Sequence, residues 1–225
     1  MIHAENIYKS FGKDEILKGV DLLVKKGNIV CILGESGTGK STMLHILGTL
    51  EKPTFKEKVK TILKINKEEV LYLSDDKLSM IRNKIIGFIF QTPQLFSEFT
   101  ILENICLPAF ISKNDKKYNI KKKAEILLKE LNIFKYADYK PEELSGGQKQ
   151  RVAVARALIN NPKIIFADEP SGNLDSKNAE ELHNLFSFLR NEFRQTFLIV
   201  THNLQLADRA DEKFEIKNGM IKKIK

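Results

Sequence analysis

The chain has 225 residues, 42% of them hydrophobic and 29% charged, the balance of an ordinary globular protein able to bury a core without disulfides. Its formal charge of +8 sets 37 basic residues against 29 acidic ones, with no basic stretch interleaved with stacking aromatics. Abundant surface lysine accounts for that, and no nucleic-acid partner is expected. No apolar run approaches the ~20 residues that span a bilayer, the first residues lack a signal-peptide core, and Cys31 and Cys106 stand apart as in a reducing compartment, so a cytoplasmic location is expected.

In chain order, residues 2–11 and 16–24 read as strands around a turn at Gly12 and Lys13. Residues 28–33 (NIVCIL) form a nearly continuous apolar run, as a strand buried on both faces should. Beyond the glycine-rich stretch that follows, Met43, Ile46, Leu47 and Leu50 recur at helical spacing, with Pro53 ending the helix. Residues 56–67 are lysine-rich but alternate, which predicts a strand with Val59, Thr61, Leu63 and Ile65 on one side. Another buried strand is expected over 85–90. Residues 92–107 then read as an unusually apolar loop carrying Leu95, Phe96, Phe99, Ile101, Leu102 and Ile105. An amphipathic helix over 120–131 has Ile120, Ala124, Leu127, Leu128 and Leu131 on one face.

Ser145, with Gln148 three residues on, matches a capping box opening a helix that runs to about Asn160 and stops before Pro162. Buried strands are expected over 164–167 and 196–201, separated by a helix carrying Leu182, Leu185, Leu189 and Phe193. Asn218-Gly219 marks a hairpin between two short terminal strands. This alternation predicts an α/β fold, a mainly parallel sheet covered by helices on both faces, in one domain spanning residues 1–225, with a helix-rich lobe over roughly 92–160.

Gly34-Glu35-Ser36-Gly37-Thr38-Gly39-Lys40-Ser41-Thr42 contains two glycines with four residues between them, followed by Lys and Ser, the P-loop pattern, between a buried strand and an amphipathic helix. Glycines let successive backbone N–H groups approach phosphate oxygens, and the helix adds its positive N-terminus. Lys40 supplies a point charge for the β- and γ-phosphates and Ser41 a hydroxyl for Mg²⁺, so ATP with Mg²⁺ is expected. A chance glycine-rich turn would not come in that strand-to-helix context. Asp168 and Glu169 follow the apolar strand over 164–167 at its C-terminal end, where α/β folds bind ligands. Asp168 suits the magnesium shell and Glu169 suits polarising a water, although acidic residues after a strand are often no more than a turn. Leu144-Ser145-Gly146-Gly147-Gln148 offers a second bare helix N-terminus for phosphate.

With these motifs and His202, the sequence resembles the ATPase cassette of ABC transporters over essentially the whole chain, in the family's motif order. The resemblance implies a P-loop NTPase fold of the ABC ATPase type, with an antiparallel β subdomain and a helical signature lobe. It implies that Phe11 stacks on adenine, that Gln91 touches magnesium and the attacking water, and that His202 contacts the γ-phosphate. LSGGQ over 144–148 is the family's signature. Ser145, Gly147 and Gln148 would contact nucleotide held by a partner's P-loop in a head-to-tail homodimer, with Asp175 on the loop across the interface. A separate membrane permease would then recruit the chain to the cytoplasmic face of the membrane, receiving a short permease helix near residues 92–107.

Ser171 to Asp175 (SGNLD) and Leu102 to Pro108 (LENICLP) look like the subgroup serving lipoprotein release, macrolide and antimicrobial-peptide efflux, and cell division. The alternative is a soluble or regulatory ABC ATPase acting on cell division, ribosomes or DNA. One departure stands out: residues 54–72 contain no glycine where the family usually makes a glycine turn.

Overall fold

A computed structural model describes residues 1–111 and 117–224. Its centre is a six-stranded sheet in the order β10-β9-β3-β8-β7-β6, comprising β3 (Ile29–Leu33), β6 (Ile86–Ile89), β7 (Ile164–Asp168), β8 (Thr196–Thr201), β9 (Glu212–Lys217) and β10 (Met220–Ile224). All neighbours pair in parallel except β9 with β10, which the turn at Asn218-Gly219 joins antiparallel. The continuous apolar runs have a simple cause. Alternate residues of one strand feed two separate cores. Cys31, Ile165, Ala167 and Ile199 face one core, while Ile32, Phe166, Leu198 and Val200 face the other.

The first core is closed by α3 (Ile101–Ile111), α4 (Lys117–Glu130), α5 (Gly146–Leu158), α6 (Ser176–Phe193) and α7 (Leu204–Ala207). The second is closed by α1 (Lys40–Leu47), α2 (Asp75–Lys84) and a four-stranded antiparallel sheet, β2-β1-β4-β5. In that sheet β1 is Ile2–Phe11, β2 Asp14–Val24, β4 Ile62–Ile65 and β5 Glu68–Glu69. The sheets adjoin where Lys18 N–H donates to the Gly219 carbonyl at 2.8 Å.

Several expectations need correction. The helix after the glycine-rich loop ends at Gly48, where the N–H groups of Gly48 and Thr49 cap the carbonyls of Leu44 and Ile46, so Pro53 does not stop it and Leu50 stays exposed. The strand expected over 56–67 is only Ile62–Ile65; Thr61, Leu63 and Ile65 are buried as the alternation requires, but residues 56–61 have no ladder partner. Residues 92–107 are not one loop, because helix α3 begins at Ile101. Helix α6 carries Phe193 as expected, at its last residue and on its exposed side. Helix α2 has no counterpart in the sequence reading: only Leu78 and Ile81 among its residues are buried, too few to mark a period.

Candidate active site

Loop 34–39 follows β3 and turns into α1. Gly39 stands at φ 96° as the N-cap, and a Cβ there would come within 2.8 Å of Ile16. Both conditions call for glycine. No side chain caps α1, so its first N–H groups are open to an anion. Lys40 is 7% exposed, and its ammonium donates to the carbonyls of Gly34 at 2.7 Å and Glu35 at 2.8 Å. Thr38 Oγ1 donates to the Glu35 carbonyl at 2.9 Å, leaving Glu35, Ser36 and Gly37 as an exposed tip.

The end of β7 lies against this loop. Ser41 Oγ donates to Asp168 Oδ1 at 3.0 Å, and Glu169 Oε1 lies 3.6 Å from Lys40 Nζ. The other Glu169 oxygen accepts from Thr201 Oγ1 at 3.0 Å and from the His202 N–H at 3.2 Å, with His202 Nδ1 lying 2.9 Å away. Burial pushes the Asp168 pKa up, against the lowering effect of the Ser41 hydrogen bond. Glu169 adopts the left-handed region at φ 43°, held by its N–H to the Val200 carbonyl and by Gly172 N–H to its own carbonyl, 2.9 Å each. Such strain in a non-glycine residue costs on the order of 1 kcal/mol and persists where the surroundings dictate it, as in active sites.

A second cluster forms at α5. Ser145 Oγ accepts from Gln148 N–H at 3.4 Å while Gln148 Oε1 accepts from Ser145 N–H at 2.8 Å, the reciprocal capping box. Gln148 Nε2 donates to Tyr136 Oη at 2.7 Å, so both ends of its amide hold the signature turn in shape. A Cβ on Gly147 would fall 2.2 Å from Asn178 Oδ1, so any side chain there would displace the Asn178 amide. Asn178 in turn bonds Asp175 through its N–H at 2.9 Å and its Nδ2 at 2.6 Å, and the backbone bond holds the exposed Asp175 carboxyl below its ordinary pKa. Among the described residues no hydrogen bond joins residues 145–148 to residues 34–42.

The structure thus gathers Gly34 to Thr42 with Asp168, Glu169 and His202, and separately Ser145, Gly147 and Gln148 with Asp175; the loop over 170–174 links the groups. Gln91, exposed beyond β6, donates from Nε2 to Asn173 Oδ1 of that loop at 3.1 Å. Phe11 ends β1 with 52% of its surface exposed and Lys9 over its ring, on the hairpin whose Ile16 touches Gly39. Sequence reasoning missed Thr201, Asn173 and Asn178. Only Asn178 left a signal, lying three residues past an N-capping aspartate.

A strand-loop-helix phosphate cradle, with two carboxylates and a histidine at the neighbouring strand ends, defines a P-loop nucleotide-hydrolysing protein. Comparison with known families matches residues 17–172 to ABC transporters. The chain belongs to the ABC transporter family, as one of its ATP-binding, ATP-hydrolysing subunits. It is similar to the lipoprotein-releasing system ATP-binding protein LolD of Cytophaga hutchinsonii, 49% identical over 98% of each chain. LolD of Bacteroides fragilis is 50% identical over 98% of this chain and 100% of that one. Among solved structures, the dimeric bacterial ABC transporter cassette MJ0796 superimposes with a TM-score of 0.89 at 39% identity, covering 100% of this chain and 99% of that one. A post-hydrolysis dimer of MJ0796 bound to ADP and Pi gives 0.88 at 38% identity.

Proposed function

We propose that this chain drives lipoprotein release: a homodimer binds and hydrolyses ATP-Mg²⁺ and works a separate membrane permease from the cytoplasmic face. The substrate class rests on the relatives at 49% and 50% identity, which match along 98% of this chain. The observation that carries the dimer is the separation of two phosphate-binding helix ends. Among the described residues no hydrogen bond joins the signature turn to the chain's own loop, and Ser145 and Gly146 are exposed for a second copy to meet, as the head-to-tail reading requires. No described helix is long and apolar enough to cross a membrane, and a permease would supply the spans.

The residues fit a magnesium ion. Ser41 Oγ and Asp168 Oδ1 stand 3.0 Å apart as a pair of hard oxygens, and no described cluster of three or more His, Cys, Asp or Glu forms an all-protein cage. Magnesium takes one or two carboxylates and fills the rest of its shell with other oxygens, phosphates and water. Ser41, Asp168 and Gln91 would hold it, and it would neutralise charge on the β- and γ-phosphates. Lys40 and the open N–H groups of α1 bind the phosphates. Glu169 accepts the proton of the attacking water, with Thr201 and His202 fixing its far oxygen. The exposed His202 side chain contacts the γ-phosphate, Phe11 stacks on adenine, and Ser145 and Gly147 close the partner's site, with Gln148 shaping their turn and Asp175 at the interface.

Purifying the tagged chain from detergent-solubilised membranes tests the reading. An integral membrane subunit should co-purify, and the complex in vesicles should release a lipoprotein only with hydrolysable ATP. Co-fractionation with ribosomes or DNA instead would overturn it.

A further inference from the structure

A glutamine amide is ambivalent: a half-turn about its last bond exchanges oxygen for nitrogen. A magnesium ligand must present the oxygen. The structure contains a device that makes this choice for Gln91. Asn173 Nδ2 lies 3.5 Å from the backbone carbonyl of Gln91, which can only accept, so the Asn173 amide is oriented with its nitrogen there. Its Oδ1 is thereby turned to the Gln91 side chain and accepts from Nε2 at 3.1 Å. That leaves Gln91 Oε1 as the free end.

The loop carrying Asn173 is well anchored. Gly172 N–H donates to the Glu169 carbonyl at 2.9 Å, Leu174 N–H to Ser171 at 3.1 Å, and the buried Ser171 hydroxyl pairs with His183 Nε2 at 3.1 Å. A Cβ on Gly172 would lie 3.0 Å from Gln91 Nε2, so this glycine makes room for the amide to rest against the loop.

We infer that Asn173 is a positioning residue that selects the metal-facing orientation of the Gln91 amide and ties it to the loop between Glu169 and Asp175. This rests on the reading of Gln91 as a magnesium-shell residue. Without Asn173 the amide turns freely and presents its nitrogen part of the time, so the site needs more magnesium while nucleotide affinity in EDTA is untouched.

The test is a double-mutant cycle of Asn173→Ala and Gln91→Ala, read by the Mg²⁺ concentration that half-activates ATP hydrolysis. The affinity of the protein–ATP complex for Mn²⁺, from paramagnetic relaxation of water protons, is the second readout. Asn173→Ala should raise both constants about twofold, because an amide free to turn presents its oxygen about half the time, with metal-free ATP affinity unchanged. In the Gln91→Ala background it should add nothing. Thermal melts check folding, and Asn173→Ser repeats the test if the alanine variant melts early. An unchanged metal requirement in Asn173→Ala, or an equal rise in both backgrounds, overturns the inference and leaves the role of Gln91 standing. If Gln91→Ala itself leaves metal affinity unchanged, the role of Gln91 falls, and the inference with it.

Discussion

Lys40 carries its charge on a short leash. Two backbone carbonyls of its own loop, Gly34 and Glu35, hold the ammonium in place before any phosphate arrives. Removing the side chain in Lys40→Ala deletes charge-assisted phosphate contacts worth roughly 1.5–3 kcal/mol each and frees the loop as well. Titration with a fluorescent nucleotide should find no measurable ATP binding; near-native affinity would mean the phosphates sit elsewhere. Glu169 is a different case, since its carboxylate is fixed by Thr201 and His202 and its backbone is strained. Glu169→Gln keeps the shape and removes the base, so ATP binding should survive while single-turnover hydrolysis slows by about 10²–10⁴-fold. Native turnover would exclude Glu169 as the base. The motifs at this scale were legible because each is a short contiguous string. Asn173 was not, because its partner Gln91 lies 82 residues away and only the fold brings them together.

Helix α5 begins at the signature turn, and its Gln150 and Arg156 reach back to the chain after β6, donating to Phe90 at 3.1 Å and to Pro93 and Gln94 at 2.6 and 2.8 Å. One rigid element thus holds both the signature and the segment beyond Gln91. Ser145→Arg puts bulk and charge on the exposed end of α5, so the variant should bind ATP normally as a monomer but fail to dimerise or turn over. Mixed with Lys40→Ala, it should recover part of the activity, because one composite site of the mixed dimer keeps a native loop and a native signature. Undiminished ATPase of Ser145→Arg alone would exclude the shared site.

Helix α6 contributes a pH dependence. His183 is buried against Ser171, and burial, helped by Arg209, holds its pKa at about 4, below the usual 6.5. Between those values the unfolded chain binds a proton that the folded chain refuses. Stability from this group is therefore complete above about pH 7 and is lost as pH falls through 6.5 towards 4, with about 2 kcal/mol gone at pH 5. Urea denaturation at pH 7 and pH 5 should show this loss in the native chain and a smaller one in His183→Asn. Equal losses would place the titration elsewhere.

Elements were readable from sequence where burial forced a pattern, as in β3, β7, β8 and the capping box of α5. They were not where it did not. Helix α2 buries two side chains, and α3 is apolar almost all round with Pro108 inside it, so neither shows a helical period.

On the scale of the whole molecule, α2, α3 and α5 converge on Pro108, whose carbonyl accepts from Asn83 Nδ2 at 2.8 Å and Asn160 Nδ2 at 3.2 Å. Around this knot lies a groove of about 390 Å³ with an apolar floor that includes Phe88, Phe90, Phe96, Leu107 and Ile111. The loop along its edge is braced by Asn104, a fully buried amide that accepts from Phe96 N–H at 2.8 Å and donates to the carbonyls of Phe96, Phe99 and Thr100. Its backbone is therefore satisfied from within, and Phe96 and Phe99 are left 54% and 38% exposed, packed edge to face. Exposed aromatics beside an apolar groove make good anchors for a short helix of a partner. Since Arg156 and Gln150 bind the same segment to the signature helix, a permease helix seated here would push directly on the part of the chain that follows Gln91. Phe96→Asp and Phe99→Asp should separate the two activities: basal ATPase of the isolated subunit largely survives, while co-sedimentation with permease-containing membranes and permease-stimulated turnover are lost. Both side chains are substantially exposed, so the melting temperature should hold. Variants that stay folded and still sediment with the permease would put the docking surface elsewhere, and variants that unfold would make these rings part of the fold's support.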